Sequence, residues 1–119
     1  MEPAEIAAGL AQVRHFIEAH GEARFAFLDG ANERVIPNRA GFRDTTSAGE
    51  REWLILPEVW RSEVAAGFDP GALARALAAR GMMRSDAEGK PQVKRRLPDF
   101  GPPVRVYVVT ERLFGAGEP

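Results

Sequence analysis

The sequence contains no cysteine. Disulfides, zinc–cysteine sites and thiol nucleophiles are thereby excluded. Its apolar runs extend only a few residues, far short of the ~18 that a membrane-spanning helix needs. Histidine is scarce: His15 and His20 stand five apart on one predicted helix, whereas two metal-binding imidazoles on one helical face need a spacing of four. The patterns GxxxxGK[ST], GxGxxG, HExxH and GxSxG are missing. With them go the glycine-rich phosphate cradles, the zinc-protease helix and the nucleophile elbow. The composition therefore favours a non-catalytic protein, with neither metal nor cofactor expected. The first residues, Met1 to Glu5, show no signal-peptide pattern, so the cytoplasm is the expected location and no membrane is expected as a partner.

What is present suits one globular domain. The 119 residues are 45% hydrophobic and 28% charged, and a chain of this length buries roughly two thirds of its unfolded surface. The formal net charge is −1 and the isoelectric point about 6.1. The charge is unevenly spread. Residues 1–60 carry six Lys/Arg against ten Asp/Glu, residues 61–119 carry ten against seven, and residues 75–105 alone carry eight against three. A basic zone on a nearly neutral chain points to an anionic partner, although a dedicated DNA binder usually has a basic isoelectric point.

The chain divides as follows. Ile6, Leu10, Val13 and Ile17 form one stripe, so residues 4–20 are predicted as an amphipathic helix ending at Gly21. Residues 24–28 are predicted as a strand with Phe25 and Phe27 facing one way. Asp29-Gly30 and Asn32 supply turn chemistry, and Val35-Ile36 is a short apolar step closed by Pro37. Residues 38–43 read as a structured loop or short strand, with Gly41 providing an unusual backbone angle and Phe42 an anchor. Residues 44–49 read as a mobile surface turn. Trp53 to Leu56 form a dense apolar strand. Pro57 then opens a helix running to about Ala66 and stopped by Gly67. Asp69 and Pro70 are an N-cap and a first helical position, and Gly81 is the stop of that second helix. Gln92 to Leu97 and Val104 to Val109 alternate around a Gly/Pro break at 99–103, which predicts a β-hairpin. Residues 4–114 are thus expected to form a single α+β, winged-helix-like domain: a helix-turn-helix, a hairpin as the wing, and an added N-terminal helix with small strands. Residues 115–119 are expected to be a flexible tail.

Three groups of cations are candidates for contact with nucleic-acid phosphates. Lys94, Arg95 and Arg96 lie on the first hairpin strand with Arg105 across from them. Such cations gain affinity by releasing condensed counterions, and they position a protein without reading sequence. The same charges also suit an edge strand that discourages aggregation. Arg75 and Arg80 belong to the second helix, whose outer face is otherwise Ala72, Ala76 and Ala79. One arginine among alanines is a poor reader of base edges. Arg39 and Arg43 form the third group, in the 38–43 segment. Trp53 and Trp60 are expected in the core, and Glu50, Glu52 and Glu58 as solvated charges.

Several separated blocks occur in a familiar order: residues 13–25, Asn38 to Arg43, Leu54 to Trp60, Ala66 to Pro70, Ala74 to Gly81, Arg96-Leu97-Pro98 and Arg105 to Val108. Across about residues 11–114 the chain resembles the C-terminal domain of large helicase/primase-like proteins of unknown function carried by phages and integrative elements. In those proteins an ATPase core lies upstream, so this chain resembles a terminal module. The resemblance implies a replication setting, DNA of either strandedness as a partner and the upstream helicase/primase domain as a neighbour. It brings no catalytic or binding residues. The alternative is a docking or oligomerisation module that uses the alanine-rich outer face of the second helix and touches no nucleic acid.

Overall fold

A helix with one apolar stripe and strands with apolar residues on both faces bury those surfaces together as helices laid on a sheet. The computed structural model, which describes residues 4–28, 36, 38–98 and 100–115, is of this α+β kind. Among the described residues it has three helices and one mixed five-stranded sheet. The turn expected at Asp29-Gly30 and Asn32, the residues Val35 and Pro37, Asp99 of the hairpin break and residues 116–119 of the tail lie outside the described residues.

Helix α1 (Ala4–His20) buries Leu10, Val13, Phe16 and Ile17 along the predicted stripe. Strands β1 (Phe25–Phe27), β2 (Gly41–Thr45) and β3 (Arg51–Ile55) follow, then β4 (Val93–Arg95) and β5 (Val104–Thr110). The sheet order is β1-β2-β3-β5-β4. β1 and β2 are parallel, and every other pair is antiparallel. Between β3 and β4 come a helical turn α2 (Pro57–Val59), a π-helical turn (Trp60–Val64) and helix α3 (Pro70–Ala79). Pro57 opens α2. At α3 the Asp69 carboxylate accepts from the Ala72 amide at 3.0 Å, with Pro70 next in the chain. Gly67 and Gly81 take φ of 88° and 74° beyond the two helical segments, the left-handed stop for which glycine is suited.

The unbroken apolar run Trp53 to Ile55 is explained by a sheet covered on both faces. One face places Phe25, Trp53, Ile55, Tyr107 and Val109 beneath α1, α3 and the π-turn. Trp60, fully buried, stacks on Tyr107 with ring centroids 4.9 Å apart, and its indole N–H donates to the Pro70 carbonyl at 3.0 Å. The other face carries Ala26, Phe42, Leu54, Val106 and Val108. Leu97 and Phe100, from the segment joining β4 to β5, close over it, with Phe100 edge-on to Phe42 at 6.1 Å.

Several local expectations change. β4 holds only three residues, because Pro98, Pro102 and Pro103 have no N–H for a ladder. Phe25 and Phe27 alternate as expected, yet only Phe25 is buried; Phe27 is 43% exposed. Residues 44–49 are not a loose turn. Asp44 and Thr45 complete β2, and Thr46 closes a tight hairpin through its amide to the Glu50 carbonyl at 2.8 Å and its hydroxyl from the Glu50 amide at 3.1 Å. Gly41 serves close approach rather than an unusual angle: a Cβ there would meet the Leu54 carbonyl oxygen across the β2–β3 ladder. The residue with positive φ in this segment is Asn38, at 54°.

Candidate nucleic-acid interface

The eight arginines and lysines singled out in the sequence fall into separate places. On the hairpin, Lys94 lies directly opposite Arg105 in the β4–β5 register, and both are exposed. The Lys94 side chain has no hydrogen bond or ion pair among the described residues. Arg105 approaches the Asp86 carboxylate at 3.7 Å. That carboxylate accepts the amides of Glu88 and Lys90 at 2.9 and 2.8 Å. Above all the Lys90 amide, and next the Glu88 amide and the charges of Arg105 and Lys90, hold it below the ordinary aspartate range.

Arg95 points the other way. Its guanidinium lies 3.8 Å from Glu52, whose second oxygen accepts from Arg84 at 2.6 Å. Glu52 is buried at 4% exposure, which corrects its reading as a solvated charge. Alternation explains this: Glu52 shares the Leu54 face of β3, and Arg95 shares the Val93 face of β4, so both turn toward the second apolar face.

Arg96 and Arg39 each touch the β4–β5 connection. Arg96 donates to the Gly101 carbonyl at 3.2 Å. Arg39 rests over the rings of Phe42 and Phe100, at 4.6 and 5.8 Å from their centroids. The two guanidinium groups thus flank the Phe100–Gly101 step. Cation–π contact leaves an arginine's donors free for an anion.

On α3, Arg75 is exposed and its guanidinium folds back beside Gly71. Arg80 donates to the Ala76 carbonyl at 2.8 Å. Neither is brought next to the hairpin cations by any hydrogen bond or ion pair among the described residues.

Arg43 is separate again. It sits on the helix-covered face, level with Phe27 on β1 and Trp53 on β3, and its guanidinium lies 4.1 Å over the Phe27 ring. It borders a cleft of about 770 Å³ between the C-terminal end of α1, the turn after it and the β1–β3 strands. Sequence reasoning missed this cleft, because it is assembled from residues of α1, three strands and Phe114 near the chain's end. The only local signal was Phe27, an aromatic in a strand too short to bury it.

Comparisons with protein-family models, with curated proteins and with solved structures find no match to this chain.

Proposed function

We propose that the chain is a winged-helix-like accessory module that holds nucleic acid through its phosphates, weakly and without sequence preference. Its resemblance to helicase/primase-associated domains of mobile elements supports a place beside a replicative helicase or primase. The order β3, two helical segments, β4, β5, with β5 lying between β3 and β4, supports the winged-helix reading. The observation that carries the binding proposal is the exposed Lys94–Arg105 pair. Like charges directly opposite each other weaken a sheet, and a polyanion across them reverses that repulsion. Arg96, in the β4–β5 connection, and Arg39, packed over Phe100 of that connection, extend the cationic surface. The outer face of α3 offers alanines to base edges, which accounts for the absence of sequence reading.

Titration of labelled single- and double-stranded oligonucleotides tests this. Binding is expected at low salt. With three phosphate contacts, log K should fall by about 2 to 3 per log unit of salt. Replacing Lys94, Arg96 and Arg105 together by alanine should weaken unrelated sequences alike and flatten that slope. No binding of either strand form at low salt, or a loss confined to one sequence, overturns the proposal. Failure to bind DNA together with sedimentation as a dimer would favour docking through the α3 face instead.

A further inference from the structure

The cleft beside Arg43 has features that the phosphate-binding surface lacks. Its volume of about 770 Å³ lies in the range of small-molecule sites, roughly 300–1,000 Å³. It is walled by Phe27, the one large hydrophobic side chain exposed among the described residues, and by Phe114, which stands edge-on to Trp53 at 5.6 Å. Arg43 enters it without an ion-pair partner among the described residues, and its Nε is buried with no hydrogen-bond acceptor. An unmet buried donor is costly, and no described residue relieves it. The other cation of the lining, Arg51, is already committed: Glu111 accepts both its side chain, at 3.0 Å, and its backbone amide, at 2.8 Å. Glu18, Glu22 and Asp44 also line the cleft. These three carboxylates oppose any anion, and they oppose a chain of phosphates far more than a ligand with a single negative charge.

We infer that this cleft binds a small monocarboxylate with a flat apolar body. The carboxylate is received by the edge of the Arg43 guanidinium, which the Phe27 ring holds in place, and the apolar body lies between Phe27 and Phe114. A guanidinium presents parallel N–H donors that match a carboxylate, which makes the pairing both strong and directional. The inference does not depend on contact between the hairpin and DNA.

Phenylacetate is the probe, phenylacetamide its neutral counterpart and octathymidylate the polyanionic alternative. Each is titrated into the isotope-labelled full chain while backbone amide signals are followed. Phenylacetate is expected to shift the signals of residues 21–23, Phe27 and Thr45 in a saturable manner. The amide should bind about tenfold more weakly or worse, the loss expected for a charged hydrogen-bonding pair. Arg43→Gln should remove that preference for the acid, and Phe27→Ala, a change at an exposed ring that leaves the core intact, should weaken the acid as well. The inference is overturned by absence of saturable shifts, by equal affinity for acid and amide, or by unchanged acid binding in both variants. Arg43-dependent shifts of the same signals by octathymidylate in preference to phenylacetate would also overturn it and make the cleft a nucleic-acid site.

Discussion

Glu52 stands on β3 between Asp44 of β2 and Thr110 of β5 and is closed off from water, with Arg84 and Arg95 supplying the opposite charge. Removing one member of a buried ion pair leaves the others uncompensated. Glu52→Gln should therefore destabilise the fold by about 1–3 kcal/mol. That is below the usual loss for a fully buried pair, because Arg84 is 44% exposed and water screens part of its charge. The shift of the urea unfolding midpoint measures this. Residue types alone do not announce such a pairing. Glu52 and Arg84 are 32 positions apart, and Glu50 and Glu52 both flank Arg51 although only Glu52 is buried. Gly41 is similar: the sequence shows that a side chain is absent, while only the β2–β3 register shows what stands in its place.

Elements were more legible than their partners. Each helix start and stop with a named cap is where the sequence puts it, because Asp69, Pro57, Pro70, Gly67 and Gly81 act on their own backbone or the next turn. The apolar stripe of α1 and the dense strand Trp53 to Ile55 are equally local signals. The π-turn at Trp60–Val64 was not legible, since distant groups hold it. The Ala65 amide reaches back to the Trp60 carbonyl at 2.8 Å. Gln12, on α1, donates its side-chain amide to the Val64 and Ala66 carbonyls at 2.8 and 2.9 Å, filling the role of a helix cap from 52 and 54 residues away. Arg24 braces the same turn from the other side, donating to Glu63 at 2.7 and 3.0 Å and to the Asn38 carbonyl at 2.6 Å. Gln12→Ala should cost about 1–2 kcal/mol, two hydrogen bonds at the modest net value each carries. Hydrogen exchange should show the loss as faster exchange at Ala65 and Ala66, with α3 amides less affected. For the nucleic-acid surface more was legible: charge density along residues 75–105 was visible in the sequence, and strand alternation puts Lys94 and Arg96 on one face with Arg95 on Val93's side or at its edge, whereas the reach of Arg95 to a buried Glu52 was not visible. Lys94 and Arg95 are neighbours in the chain and face opposite sides of the sheet.

For the whole molecule, the carboxylates set the acid limit of stability. Glu63 is held below the ordinary glutamate range first by its hydrogen bonds from Arg24 and then by the Arg24 and His20 charges, partly offset by burial. Glu111 is held low by the Arg51 amide and then by the Arg51 side chain, and Asp86 chiefly by the Lys90 amide. A depressed folded-state value means the unfolded chain binds more protons on acidification. Their contribution is complete above the ordinary carboxylate range, about 4 to 4.5, and is lost as pH falls through the folded values. Tyr107 works at the other end. Burial raises its value above 10.0, so the stability it lends is present below that pH and fades as the pH climbs through its raised value. Urea midpoints measured from about pH 3 to about pH 11 should show a plateau between roughly pH 5 and 9 with a fall on either side.

The inner edge of β5 is lined in series by two pieces of chain. Thr110 and Val108 bond to Met82 and Arg84, Met83 bridges Val109, and β4 takes over at Val106 to Val104. Residues 85–92 are thus a detour between two stretches of one interrupted ribbon, so a longer or shorter detour should be tolerated without shifting either stretch. The three-residue β4 and the Met82–Arg84 stretch leave little straight, regular backbone on that side for a foreign strand to copy.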